Sequence, residues 1–268
     1  MTQPIWRFGP CIGRPPSLPS HLPCCQFYLD GNLGWKFDPL PRWQVPVGQR
    51  FFIHLPVNMN FAAARDPSWS LASMVKQVEG QPAACVLHIG NNGSINTIAN
   101  RLNKLKLPQS TLPCSLLLEP PAGEGNKIGG TWAELRLLFE ALDKTNNIGL
   151  CLDTQHLFGA GMCQFYSSDE VERLFDYSGG LAKIGLIHLN DSLVPFNSKV
   201  DRHQAVGQGH IWADCQKDTV DGQRQQDSLA RLLELAHQLD VDVVSETHDY
   251  HHDYQVCSHV LTAKAAKK

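Results

Sequence analysis

Nine residues with metal-capable side chains recur along the chain: His54, His88, Glu119, Asp153, His156, His188, Asp201, His203 and Glu246. They offer imidazole nitrogen and carboxylate oxygen but no thiolate, a donor set that suits zinc in a catalytic setting, or manganese. Any one of the histidines alone would read as a hydrogen-bonded core residue, and any one of the acids as an ion-pair partner. Their joint placement says more. Each stands at or just past the end of a short apolar run. Four carboxylates gathered in one space would repel, and their pKa values would climb unless cations sat among them. The nine exceed what one or two metals need and fit three open sites if one carboxylate bridges. A Glu spanning two metals about 3.5–4 Å apart gives the spacing used for phosphoester cleavage.

The elements that must position these groups are eight runs rich in Val, Ile, Leu and Phe, at 7–13, 25–30, 50–56, 84–90, 114–120, 148–154, 183–190 and 241–247. Most are apolar continuously rather than alternately, as in parallel strands buried on both faces. Helical periodicity fills several gaps. Leu71, Met74, Val75 and Val78 share a face, as do Ile95, Ile98, Ala99 and Leu102, and Leu229, Leu232, Leu233 and Ala236. Thr131 with Glu134, and Ser167 with Glu170, predict capping boxes. A last helix is expected to begin near Tyr254 and run toward Lys264. Strands alternating with helices make a parallel sheet, and eight such units in about 250 residues make a closed TIM (β/α)8 barrel of the α/β class. Prolines crowd 14–24 and 36–49, so the first and second helices should be shortened to loops or single turns. With no internal repeat or linker, residues 1–268 read as one domain. On a TIM barrel the site lies over the C-terminal ends of the strands. His54, His88, Glu119, Asp153, His188 and Glu246 end strands three to eight, and His156, Asp201 and His203 follow closely.

Composition narrows the setting. The chain is 43% hydrophobic and 18% charged, which excludes a disordered protein. Its net charge of −3 supplies no basic field for nucleic acid, so bound cations or a local patch would have to do so. Lys264, Lys267 and Lys268 read as a solvated tail. Nine cysteines without a C-x-x-C pair suit buried thiols in a reducing compartment. MTQPIWRFGP lacks the apolar stretch of a signal peptide, and no run approaches the roughly 18 residues of a membrane span. The expectation is a soluble, intracellular monomer with no membrane partner.

Several segments carry a resemblance. IGLCLDTQHLFGAG (148–161), HLNDSLVPFNSKVDRH (188–203), VGQGHI (206–211), HLPVNMNFA (54–62) and LEPPAGEGNKIG (118–129) resemble signatures of the endonuclease IV family. The resemblance implies a xylose-isomerase-like barrel that hydrolyses the phosphodiester 5′ to an abasic site in damaged double-stranded DNA, with three zinc ions; manganese is an alternative at one site. It places His54, His88 and Glu119 on one metal. Glu119 is shared with a second, beside Asp153, His188 and Glu246. His156, Asp201 and His203 take the third. Glu119, Asp153 and Glu246 are the implied catalytic carboxylates.

The chain also departs from the family pattern at Val57, Gln155, Leu193 and Asn197. YLDGNLGW (28–35) stands where the family inserts a polar, basic loop into DNA, leaving Asn32 and Trp35 as candidate DNA contacts, with Trp69 as another aromatic wedge. These departures bear on duplex grip and on abasic-site specificity. Arg202, between two proposed ligands, could meet a phosphate or pair with a nearby acid. The rival enzyme is a single-metal sugar isomerase or epimerase on the same barrel, for which Glu119, Asp153, His188 and Glu246 would suffice. A metal-stabilised DNA-binding module is the rival of another class.

Overall fold

A computed structural model describes residues 7–12, 23–28, 50–68, 71, 81–105 and 114–266. Its barrel strands are β1 (Phe8–Ile12), β2 (Cys24–Tyr28), β3 (Arg50–His54), β4 (Ala84–His88), β5 (Ser115–Glu119), β6 (Ile148–Asp153), β7 (Ile184–His188) and β10 (Asp242–Ser245). These eight, all parallel, close in the order β1-β10-β7-β6-β5-β4-β3-β2. Every expected apolar run forms its strand, because a parallel barrel buries both faces of each one. A two-stranded antiparallel pair, β8 (Asp191–Ser192) with β9 (His203–Gln204), lies outside the barrel.

The helices are α1 (Ile95–Lys104), α2 (Trp132–Ala141), α3 (Thr154–Gly159), α4 (Ser168–Leu181), α5 (Val220–Gln238) and α6 (Tyr250–Ala265). The expected stripes face the core: Ile98, Ala99 and Leu102 on α1, and Leu229, Leu232, Leu233 and Ala236 on α5, are buried. Thr131 caps α2, its hydroxyl accepting from Glu134 N and donating to Glu134 Oε2, so the acid meets the hydroxyl where a capping box would have it meet the backbone N–H. At α4, Ser167 accepts from Glu170 N, but the Glu170 carboxylate turns to the backbone N–H of Tyr166 one residue further out. The last helix starts at Tyr250, earlier than its periodicity suggests, because Asp249 caps it by accepting from His252 N at 3.0 Å. The Pro-rich connections and the stripe through Met74, Val75 and Val78 lie outside the described residues. None of the described helices is long and apolar enough to cross a membrane.

Side chains of one strand alternate between the helix layer and the barrel interior. The interior holds its own small cluster: Cys24, Phe52, Ala84, Val86, Leu117, Cys151, Leu186 and Val244, with Cys11 against it. Leu117 fills the space left by two glycines. A Cβ at Gly185 would stand 2.5 Å from Leu117 Cδ2, and one at Gly149 would stand 3.1 Å from it. All nine cysteines are free thiols, and Cys85 and Cys114 meet in van der Waals contact at 3.6 Å.

Candidate metal centre

Two residues beyond the interior layer, on the same face of each strand, stand the groups that could do chemistry. Phe52 leads to His54, Val86 to His88, Leu117 to Glu119, Cys151 to Asp153, Leu186 to His188 and Val244 to Glu246. The period of two thus raises one polar layer directly over an apolar floor at the C-terminal mouth. His54, Glu119, Asp153 and His188 are almost wholly buried there.

Glu119 stands between two groups of donors. Its Oε2 lies 3.2 Å from His54 Nε2 and 3.1 Å from His88 Nε2. Its Oε1 lies 2.9 Å from His188 Nδ1, which is 3.2 Å from Glu246 Oε2 and 3.9 Å from Asp153 Oδ2. Backbone carbonyls orient the rings. His54 Nδ1 donates to Leu55 O at 2.7 Å, and His156 Nδ1 donates to Pro120 O at 3.0 Å, so each Nε2 is turned inward.

The remaining donors arrive differently. Asp153 caps α3, its Oδ1 accepting from His156 N at 2.7 Å, which fixes the D-x-x-H spacing: the cap residue and the third helical residue must face the same mouth. The chain at 197–200 is then zipped along α3. Asn197 N donates to Phe158 O, Lys199 N to Gly159 O and Gln155 Nε2 to Val200 O, all at 3.0 Å. Asp201 is thereby delivered 3.4 Å from His156 Nε2, and the β8–β9 pair returns His203 to 3.4 Å from Asp201 and 3.7 Å from Asp153. Asp191 anchors that hairpin, accepting from the backbone N–H groups of Ser192, Gly207, Ile211 and Trp212.

The electrostatics are those of donors pressed together. Burial would raise the Glu119 carboxyl, but His188 and His88 hold it well below the usual carboxylate range. Burial likewise works against Asp201, which His156 and His203 hold low. His156 is pulled down by burial, yet Asp153, Asp201 and Glu119 push it up to about 10. Burial dominates at His88 and lowers it. These residues fit a metal. His203 Nε2 is buried without a hydrogen-bond partner while two carboxylates stand 3.4 and 3.7 Å away. Such separations are long for hydrogen bonds, but close to the about 3.3 Å between donors sharing a tetrahedral ion at bonds of about 2.0 Å. His54–His88–Glu119, Glu119–Asp153–His188–Glu246 and Asp153–His156–His203 each bring their donor atoms within 4.8 Å of one another. Asp153 rather than Asp201 completes the last of these sets, with Asp201 alongside.

All nine expected donors therefore meet at one mouth. Arg202 is exposed and donates to the carbonyl of Asp201 at 2.7 Å, pairing with no acid among the described residues. Asn32, Trp35 and Trp69 lie outside the described residues. The departures divide in two. Gln155 is buried and grips Val200, and Asn197 adopts φ 62, a left-handed conformation open to Asn as to Gly. Both are thus framework substitutions. Val57 and Leu193 are exposed apolar residues. The donor pattern leaves out two buried amides: Gln26, which touches His188 and Glu246, and Asn190, which donates to Asp153 Oδ2 at 2.6 Å and accepts from Glu246 N. A lone polar residue at an inward position of an apolar strand, as in CQFYLD, is the signal for Gln26.

A parallel eight-stranded barrel with clustered imidazoles and carboxylates at its C-terminal mouth defines a TIM barrel with a candidate metal centre. Comparison with known proteins agrees on the barrel. The family model described as xylose isomerase-like TIM barrel matches residues 74–222. A protein of Halorhodospira halophila named "Probable endonuclease 4" is 36% identical over 238 residues, 79% of each chain. One of the same name from Heliobacterium modesticaldum is 33% identical over 174 residues, 60% of this chain and 62% of that protein. Among solved structures, endonuclease IV from Thermus thermophilus superposes with a TM-score of 0.70 at 20% identity, covering 96% of this chain and 99% of that one. A D-tagatose 3-epimerase-like protein gives 0.62 at 14% identity, over 98% and 99%, which speaks for the fold alone. The chain belongs to the endonuclease IV family. It spans less than two thirds of the length of several of the curated relatives it matches.

Proposed function

We propose that the protein is a zinc-dependent apurinic/apyrimidinic endonuclease, hydrolysing the DNA phosphodiester 5′ to an abasic site and leaving a 3′-hydroxyl and a 5′-deoxyribose phosphate. The observation that carries this is Glu119, whose two oxygens face two separate sets of buried donors while a third set stands alongside. A single-metal isomerase has no use for three sets. His54 and His88 would hold one zinc with Glu119. Asp153, His188 and Glu246 would hold a second, with Glu119 between the two. His156, Asp201 and His203 would hold the third, with Asp153 close enough to share. When bound, zinc supplies Lewis-acid charge for a phosphoryl oxygen and lowers the pKa of a water molecule toward neutrality. The chain's part is to fix the donors, exclude water beneath them with the apolar interior layer, and concentrate cations at the mouth of a protein whose net charge is −3. Arg202, exposed beside Asp201, is free to meet a backbone phosphate.

An end-labelled duplex with one abasic-site analogue tests the proposal, run beside an undamaged duplex, a chelated sample and a zinc-restored one. The expected product is a single metal-dependent cut on the 5′ side of the lesion. No cut with one metal bound per chain would turn the assignment to a sugar isomerase or epimerase.

A further inference from the structure

Gln26 sits at the centre of β2, fully buried, two residues above Cys24 on the face that carries the donors. Its Nε2 donates to Glu246 Oε1 at 2.8 Å, and its Oε1 lies 2.9 Å from His188 Nε2. An ionised carboxylate only accepts, so the amide nitrogen must face Glu246 and the amide oxygen must face His188. An amide oxygen in turn only accepts, so His188 Nε2 must carry a proton. Nδ1 is then the one ring nitrogen left to bind a metal, in place of the proton it donates to Glu119 Oε1 at 2.9 Å, and it also stands 3.2 Å from Glu246 and 3.9 Å from Asp153. These separations bracket the about 3.3 Å expected between donors of one tetrahedral ion.

We infer that Gln26 is a positioning residue for the middle metal: it selects the His188 tautomer that offers Nδ1 and holds Glu246 by one oxygen so that the other faces the ion. The inference rests on the metal reading proposed above. Asn190 clasps Glu246 as well, its Oδ1 accepting from the Glu246 backbone N–H at 3.0 Å. An amide suits the position by chemistry. It donates and accepts at once without adding charge. A Glu here would place a further carboxylate in the cluster, and a Lys would compete with the metal for the carboxylates. Partners of a ligating imidazole commonly act in this way.

The test uses full-length protein with ring-15N histidine, loaded with 113Cd as a probe for zinc. In the wild type, His188 is expected to couple to cadmium through Nδ1 and to show a slowly exchanging Nε2–H. In Gln26→Met, that proton exchanges rapidly and the middle cadmium binds about 10–100-fold more weakly in chelator competition. Gln26→Glu restores the acceptor, and with it the protected Nε2–H. Should Gln26→Met fail to fold, the wild-type coupling still decides. Coupling through Nε2, or a folded Gln26→Met with wild-type exchange and metal retention, would overturn the inference alone. A wild type that takes up neither cadmium nor zinc would overturn the metal reading with it.

Discussion

The strand-borne donors and the loop-borne donors of this site are built by different means. His54, His88, Glu119, Asp153, His188 and Glu246 stand on or directly after barrel strands, over an interior layer that is itself packed. Their placement follows from strand register. Asp201 and His203 belong to a segment that reaches the mouth through hydrogen bonds to α3 and the β8–β9 pair, and they remain partly exposed. The first group is as rigid as the barrel. The second is as rigid as its anchors, so the two should separate under mutation.

The largest effect is expected where the strand-borne donors join. Glu119→Gln leaves His54, His88 and His188 without their shared anion, and should lower phosphodiester cleavage on the order of a thousandfold with loss of metal seen by elemental analysis. Retention of all metal and activity would break the idea that Glu119 links two sets. Metal removal comes next. At a thousandfold excess over Kd each bound ion adds about 4 kcal/mol to stability, so chelation should lower the melting temperature and zinc should restore it. Asp191→Asn sharpens the contrast. Its new amide would face the N–H groups of Gly207 and Trp212, costing about 1.5–3 kcal/mol. Binding at the proposed His156, Asp201 and His203 site should weaken while the other two proposed sites hold, as read by stepwise chelator titration. Gly185→Ala tests the strand-borne group from below. Overpacking against Leu117 should cost about 1–3 kcal/mol in denaturant unfolding, with loop-borne affinity unchanged. The smallest effect is expected at Arg202→Ala, which should leave kcat near wild type, raise KM and reduce the salt slope of DNA binding by about 1.

What the amino-acid sequence reveals divides along the same line. The strand-borne donors are legible because a barrel strand is a short apolar word with its functional residue at the end, and His54 or Glu119 can be placed by counting. His156 is legible through its helical spacing from Asp153. Gln26 shows in the sequence only as a lone polar residue in an apolar strand; its role is hidden, since its partners His188 and Glu246 lie 162 and 220 residues away and only closure of the barrel brings them together. The β8–β9 pair, two residues on each side, is too short for periodicity to register. As residue types, Gln155 and Asn197 read as losses of substrate contact. In the fold one grips Val200 and the other adopts a left-handed turn, neither of which a residue type discloses by itself.

The two-residue pleat under the site has a genetic consequence. Each barrel strand acts as a reading frame for chemistry. Substitution at an outward position leaves the frame intact, but loss or gain of one residue inside a strand turns its ligand toward the helices and brings an apolar neighbour to the mouth. In β3 the residue exchanged for His54 would be Ile53 or Leu55, and in β5 Leu118 would displace Glu119. Length changes should therefore be borne by the connections between strands, where the frame is reset, while the strands themselves admit new residue types but no new lengths.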